Sequence, residues 1–161
     1  MRDDDFDRLF EEHAQSLFGF LAYRTGDRAL AEDLLADTFE RVLRARRRFD
    51  RRRGSEKTWI YAIALNLLRD HARRQSAESR AHERVTAPAL GSDDLALGRV
   101  EHHDELLRAL SVVSPEEREA IALRYGADLT VPEIAKLKKE PLTTVEGRVY
   151  RALRKLRQEL S

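Results

Sequence analysis

The feature that most constrains this chain is its last stretch, which has the pattern of two short helices joined by a tight turn. Thr130 and Glu133 have the spacing of a capping box, which starts a helix. Thr143 and Glu146 repeat that spacing and predict the start of a second helix. The polar segment 138–141 between them ends in a proline, and proline interrupts helices. The sequence therefore predicts a helix-turn-helix near the C-terminus.

The second of these helices sorts its side chains onto two opposite sides, at about 100° per residue. The apolar side predicts a buried face made of Val145, Val149, Ala152, Leu153 and Leu156. The other side carries Thr144, Arg148, Arg151, Arg154 and Lys155. A helix with such a cationic face fits the major groove of duplex DNA. A solvated surface helix is the alternative, and it is disfavoured because the caps, the turn and the cations coincide.

Charge is segregated along the N-terminal part of the chain. Residues 1–40 hold eleven acidic residues and four arginines, a net charge of −7. Residues 41–57 hold nine cations and two acidic residues, a net charge of +7. Such asymmetry suggests separate surfaces for separate partners, and the basic block suits a polyanion. The alternative is a solvated arginine-rich helix end, where cations also favour the helix dipole.

Helical spacing of apolar residues recurs along the chain and predicts an all-α protein. The expected helices before the helix-turn-helix cover about 5–25, 27–48, 57–75, 100–110 and 115–126. No segment has convincing strand alternation.

The segment 76–99 differs in composition, because it contains Pro88, Gly91 and several serines. It predicts a flexible linker between two small helical bundles, residues 1–75 and residues 100–161, the second of which contains the helix-turn-helix.

Several classes of protein are disfavoured. The chain has no cysteine, which excludes disulfides and thiolate metal sites, and no apolar run long enough to insert in a membrane. The acidic N-terminus lacks the apolar core of a signal peptide, so we expect a cytoplasmic protein. The cluster 102–105 is the only local group of possible metal ligands, but its adjacent histidines point about 100° apart on a helix. We expect no metal, no cofactor and no enzymatic activity.

The predicted helix 27–48 has a second face beside its core stripe. A row of carboxylates lies next to apolar side chains on that face: Asp33, Asp37 and Glu40 beside Ala36, Phe39 and Leu43. This combination suggests a docking surface for a basic partner helix. From periodicity alone, a widened core stripe with solvated acids is equally supported.

The predicted helix 57–75 follows the basic block and presents a polar face opposite its apolar one. That face carries Trp59, Ala62, Asn66, Arg69, Asp70 and Arg73. Aromatic and cationic side chains together suit unstacked bases and phosphates, which favours single-stranded nucleic acid. Trp59 and Tyr61 could instead be core aromatics.

Taken together, these segments resemble a bacterial RNA polymerase sigma factor of the extracytoplasmic-function type. Residues 31–50 are similar to the polymerase-binding helix of that family, and residues 57–75 to its promoter-melting helix. Residues 114–157 are similar to its C-terminal DNA-reading domain. The resemblance implies a protein that binds the core enzyme, through the beta-prime clamp helices and the beta flap, and directs it to promoter DNA. It also implies an anti-sigma factor as a partner.

The resemblance assigns residues to three surfaces. Polymerase binding falls to Asp33, Ala36, Asp37, Phe39, Glu40 and Leu43. The minus-ten element falls to Arg52, Arg53, Lys57, Trp59, Asn66, Arg69, Asp70 and Arg73. The minus-thirty-five element falls to Thr144, Gly147, Arg148, Arg151, Arg154 and Lys155.

This chain departs from the family pattern at three places. Ala36-Asp37 stands where Gln-Glu is usual, Lys138-Lys139 where the turn has Leu-Gly, and Glu146 where the reading helix has a cation. The alternative reading is a helix-turn-helix regulator that acts on DNA without binding core polymerase.

Overall fold

The computed structural model describes residues 3–82 and 111–160 of the chain, and within these ranges every regular element is helical. The helices are α1 (Asp3–Thr25), α2 (Arg28–Ala45), α3 (Glu56–His82), α4 (Pro115–Ile121), α5 (Val131–Lys138) and α6 (Leu142–Leu160). A 3-10 turn, Arg46–Arg48, continues α2, and a π-helical turn, Ala122–Gly126, continues α4. The prediction of an all-α protein is confirmed. The helix expected over 100–110, with the histidine cluster 102–105, lies outside the described residues.

Local capping chemistry fixes the starts of α2, α4 and α5. The Asp27 carboxylate accepts a hydrogen bond from the Leu30 N–H at 3.2 Å and begins α2, as predicted. Ser114 and Thr130 each form a complete capping box, with Glu117 and Glu133 respectively, and begin α4 and α5. These contacts satisfy backbone N–H groups that have no partner inside the helix.

Two boundaries differ from prediction. Thr143 does not cap the last helix, because α6 begins at Leu142 and the Pro141 carbonyl already accepts from the Thr144 N–H at 3.1 Å. Proline is well suited to a helix start, where its missing N–H costs nothing. Helix α3 continues to His82, seven residues past its predicted end, since the sequence 76–82 contains no proline or glycine to stop it.

The N-terminal bundle consists of α1, α2 and α3 packed around one apolar core. Its fully buried side chains come from all three helices and include Leu9, Leu17, Leu21, Ala31, Val42, Ile60 and Ala64. The C-terminal bundle buries Leu123, Leu129, Ile134, Val145 and Ala152. The first four of these form one contiguous apolar cluster with the buried side chains of α1, α2 and α3. The predicted apolar faces of α2, α3 and α6 therefore do lie inward.

The two bundles touch each other in this structure. Arg24 of α1 lies with its Nε 3.5 Å from a carboxylate oxygen of Glu119 in α4. Lys57 of α3 donates a hydrogen bond from Nζ to the backbone oxygen of Asp128 at 3.3 Å. Tyr23 packs against the apolar cluster of the C-terminal bundle, and burial raises the pKa of its hydroxyl to about 12.

Candidate nucleic-acid and protein interfaces

The acidic face of α2 is open to solvent. Asp33, Asp37 and Glu40 are all exposed, and so are the two apolar neighbours Ala36 and Leu43. Five of the six residues expected to bind polymerase therefore lie together on one accessible surface. Carboxylates flanking small apolar side chains give that surface the character expected of a site for a basic amphipathic helix.

Phe39 does not belong to that exposed set. Its side chain is only 4% exposed and packs edge-to-face on Phe10, with the ring centroids 4.9 Å apart, and on Phe6 at 6.2 Å. The sequence-based placement of Phe39 on a face turned away from the core is wrong, because α1 crosses α2 at this point and covers the ring. Phe39 still forms part of the floor of a cleft between α1 and α2.

That cleft has a volume of about 590 Å³ and combines an apolar floor with an acidic rim. Its lining is Phe6, Asp7, Phe10, Glu11, Ala36, Phe39, Glu40 and Leu43. Phe10 is half exposed although its spacing predicts a core position. The cleft thus extends the acidic face of α2 onto α1.

The basic loop between α2 and α3 is held at both ends while its arginines remain exposed. The Asp50 carboxylate accepts from the Arg52 N–H at 3.0 Å, and Ser55 Oγ accepts from the Thr58 N–H at 3.1 Å. Arg8 of α1 donates to Glu56, with the closest atoms 2.9 Å apart, and fixes the first turn of α3. The backbone of the loop is therefore held in place while its arginine side chains remain accessible to solvent.

The polar face of α3 carries the other residues expected at the minus-ten element. Asn66, Arg69, Asp70 and Arg73 are exposed. Trp59 is half-buried and packs on Phe49 with ring centroids 5.1 Å apart. Tyr61 is fully buried beside Phe20, so for this residue the alternative of a core aromatic is confirmed.

Trp59 separates two clefts. The larger, of about 550 Å³, lies between the basic loop and α5 and includes Phe49, Arg53, Trp59, Glu133, Lys136 and Lys139 in its lining. The second is lined by Arg41, Arg44, Ala45, Arg48, Trp59, Ile63 and Asn66. Its three arginines belong to the basic block 41–57, which was predicted to suit a polyanion, although the resemblance assigned none of them to a surface. Their spacing of three and four residues puts them on one side of α2 and of the 3-10 turn that continues it.

The cations of α6 differ in exposure. Arg151 and Arg154 are exposed, whereas the side chain of Arg148 is only 17% exposed. The Arg151 guanidinium lies over Gly147, where a Cβ atom would come within 3.0 Å of Nη1. Tyr150, which the sequence did not single out, is 65% exposed on the same outer surface.

Two acidic side chains hold the less exposed cations. Arg148 makes a two-pronged pair with Glu140, its Nη1 lying 2.8 Å from Oε1 and its Nη2 donating to Oε2. Lys155 donates to the buried Glu117 at 2.8 Å. Burial pushes the pKa of Glu117 upward, but the hydrogen bonds from Lys155 and Ser114 outweigh it, so the pKa lies below its usual value.

The turn before α6 has the left-handed geometry of a helix-turn-helix. Lys139 adopts φ 56° and ψ 45° at the end of α5, a conformation that glycine adopts at lower cost. Its neighbour Lys138 is nearly buried between Glu119 and Glu140, at 3.4 and 3.6 Å. The turn therefore forms despite the departure from a Leu-Gly step.

The described part of the chain contains neither a cluster of metal ligands nor a membrane-spanning helix. Residues 3–82 and 111–160 contain no group of three potential metal ligands among their histidine and acidic side chains. No helix in those ranges is both long enough and apolar enough to cross a membrane.

Comparison with known families gives two matches in the order of the bundles. The Sigma-70 region 2 model matches residues 9–78, and the Sigma-70 region 4 model matches residues 103–156. The chain is 34% identical over 161 residues to the RNA polymerase sigma factor CarQ of Myxococcus xanthus, covering 98% of this chain and 90% of CarQ. It is 30% identical over 164 residues to the ECF RNA polymerase sigma factor BldN of Streptomyces coelicolor, covering 95% of this chain but only 59% of BldN.

Solved structures support the same fold. The sigma factor RpoE, crystallised with the anti-sigma factor NepR from Bartonella quintana, superimposes with a TM-score of 0.79 at 23% identity, covering 98% of this chain and 97% of RpoE. CnrH, solved in complex with the cytosolic domain of CnrY, has a TM-score of 0.70 at 22% identity and covers 99% of this chain and 89% of CnrH.

Proposed function

The chain belongs to the extracytoplasmic-function sigma factors, which bind RNA polymerase and direct transcription, and from this premise we propose how its two bundles divide that task. The N-terminal bundle grips the core enzyme and opens the promoter, while the C-terminal bundle finds the upstream element. The observation that supports this division is the separation of charge: an exposed acidic face on α2, a basic loop before α3, and a cationic helix in the second bundle.

The acidic face of α2 is the proposed docking site for the beta-prime clamp helices. Asp33, Asp37 and Glu40 steer a basic helix toward the surface, and Leu43 supplies apolar contact at its edge. Phe39 supports the floor from below rather than contacting the partner across its whole face. The beta flap is the proposed contact of the second bundle.

The loop 49–55 and the outer face of α3 are the proposed minus-ten surface. Arg52 and Arg53 contact phosphates, and the half-buried Trp59 offers the accessible part of its ring to an unstacked base. Extruding a base costs a few kcal/mol, which stacking and phosphate contacts offset. Asn66, Arg69, Asp70 and Arg73 line the path of the strand along α3, together with Lys57 at its start.

The outer side of α6 is the proposed minus-thirty-five reader. Thr144, Gly147, Arg151 and Arg154 lie on or beside the accessible surface of the helix. Arg148 and Lys155, assigned to the same task by resemblance, would have to leave their acidic partners to reach DNA. The readout therefore centres on Arg151 and its neighbours.

An anti-sigma factor is proposed as a further partner, because RpoE was crystallised with one and shares this fold. The chain's own role in initiation is regulatory, and the polymerase carries out the chemistry. We place the protein in the cytoplasm, where its polymerase and promoter partners are.

Run-off transcription with purified core enzyme and a genomic fragment library tests the proposal directly. We expect discrete start sites that core enzyme alone does not produce, and a stoichiometric complex of the chain with core enzyme. A homodimer that binds duplex DNA but neither binds core enzyme nor confers start sites would instead support a regulator that acts without polymerase.

A further inference from the structure

The cations of α6 fall into two groups by their surroundings. The side chain of Arg151 is 58% exposed, and its Nε lies 3.8 Å from the nearest Glu117 oxygen, too far for a hydrogen bond. Arg148 lies three residues before Arg151, closer to the turn. Its side chain is largely covered and makes two hydrogen bonds to one carboxylate. Both arginines lie near a carboxylate, but only Arg148 is covered and hydrogen-bonded to one, whereas Arg151 is exposed and makes a looser ion pair.

The partner of Arg148 lies in the turn and not in α6 itself. Glu140 is the second residue before α6, and its N–H donates to the Ala135 carbonyl at 3.0 Å. The hydrogen bonds from Arg148 hold the pKa of the Glu140 carboxyl below its usual value. A pair with two parallel hydrogen bonds fixes orientation as well as distance, because both bonds must align.

Lys138 joins the same carboxylate from the other side of the turn. Its Nζ lies 3.6 Å from Glu140 and 3.4 Å from Glu119 of α4, and its side chain is nearly buried. Glu140 is thus contacted by Lys138, which precedes the left-handed Lys139, and by Arg148, which follows it in α6. Ionic contacts link the two helices at the point where a Leu-Gly step would otherwise make the turn.

We infer that Glu140 is a positioning residue of the DNA-reading helix: by binding Arg148 and Lys138 it fixes α6 against the turn and withholds Arg148 from DNA. Arg151 is left as the cation that contacts the promoter from the first half of the helix. This inference rests on the proposed reading of the minus-thirty-five element by α6, and it assigns Arg148 to the frame of the helix-turn-helix instead of its reading surface.

The salt dependence of binding separates a DNA-contacting cation from an internally paired one. Each phosphate neutralised by a protein cation adds about 0.9 to the slope of log K against log salt concentration. The full chain is assembled with core polymerase, and the wild-type holoenzyme selects duplexes from a library randomised in the upstream element. Binding to a selected and an unselected duplex is then measured over a salt series for each variant.

We expect Arg151→Gln to lower the slope by about 0.9 and to reduce the affinity ratio between selected and unselected duplexes. Arg148→Gln should leave the slope unchanged yet reduce that ratio on the order of tenfold, because the helix loses its fixed orientation. Glu140→Gln should reduce the ratio similarly and steepen the slope by up to about 0.9, since Arg148 becomes free to contact a phosphate.

Arg148→Lys and Glu140→Asp serve as matched conservative variants. Both variants keep the two charges but lose the two-pronged hydrogen bonding. Their affinity ratios between selected and unselected duplexes should therefore fall between those of the wild type and the Gln variants. Far-UV circular dichroism of each variant, before it is assembled with core polymerase, verifies that it is folded. Should Glu140→Gln fail to fold, Glu140→Asp carries the same comparison.

A slope that falls for Arg148→Gln as it does for Arg151→Gln would overturn the inference, and so would unchanged slope and ratio in Glu140→Gln. If the wild-type holoenzyme shows no preference among upstream sequences, the proposed minus-thirty-five reading fails. The slopes on unselected duplex still decide, in that case, whether Arg148 contacts phosphate. Absence of DNA binding at every salt concentration would refute both the proposed minus-thirty-five reading and the inference about Glu140.

Discussion

Replacing Phe39 by alanine separates a packing role from a docking role on α2. The ring is almost fully buried and stacks edge-to-face against Phe10 and Phe6. Truncating such a ring typically costs about 3–5 kcal/mol in the free energy of unfolding, through lost burial and the cavity left behind. With a denaturant slope near 2 kcal/mol per M, the urea midpoint should fall by about 2 M.

Leu43→Ala is the matched control, because Leu43 lies on the same helix and the same cleft but is 39% exposed. Its free energy of unfolding should change by about 1 kcal/mol or less. Urea titrations followed by far-UV circular dichroism give both midpoints. Affinity for core polymerase is measured at a temperature at which both variants are folded, and Leu43→Ala should weaken it. If the two midpoints agree within about 0.5 M, the buried role of Phe39 is refuted.

Three further outcomes are expected. Asp33→Arg with Asp37→Arg should abolish capture by core polymerase while leaving DNA binding of the free chain intact, and retained capture would remove the acidic docking face. Because the pKa values of Glu117 and Glu140 are lowered in the fold, the stability they add is present above the unfolded pKa near 4.5 and is lost as the pH falls through the folded values. Thermal unfolding between pH 7 and pH 3 should show that loss, and Glu117→Gln should shrink it. Lys139→Gly should raise the urea-derived free energy of unfolding by about 1 kcal/mol, since glycine adopts the left-handed conformation more readily; a decrease would mean that the Lys139 side chain stabilises the turn.

The features that the sequence predicted well are those decided locally. Asp27, Ser114 and Thr130 each bond to a backbone N–H within three residues, so spacing alone identifies them. The inward faces of α2, α3 and α6 follow for the same reason, because helical periodicity is a property of short windows. Thr143 is the exception: α6 begins one residue earlier, at Leu142, so the pattern of a capping box lies inside its first turn.

The features that escaped sequence reasoning depend on how distant segments meet. Phe39 is buried because α1 happens to cross it, and periodicity along α2 carries no information about that crossing. Arg148 shares a helical face with Arg151, yet only the position of the turn shows that a carboxylate eight residues earlier accepts hydrogen bonds from Arg148 and not from Arg151. One-dimensional patterns indicate which side chains face the same way, but they do not reveal what those side chains face.

The contact between the bundles bears on how the minus-ten surface works. Lys57 belongs to that proposed surface, yet its Nζ already donates to the Asp128 carbonyl in the other bundle. The cleft beside Trp59 is walled on one side by α5, so it lies between the two bundles. A phosphate is a stronger acceptor for a lysine than a neutral carbonyl is, because the bond is assisted by both charges. A phosphate that binds Lys57 therefore competes with its contact to Asp128, and by linkage the free energy by which that contact weakens phosphate binding equals the free energy by which the bound phosphate weakens the contact.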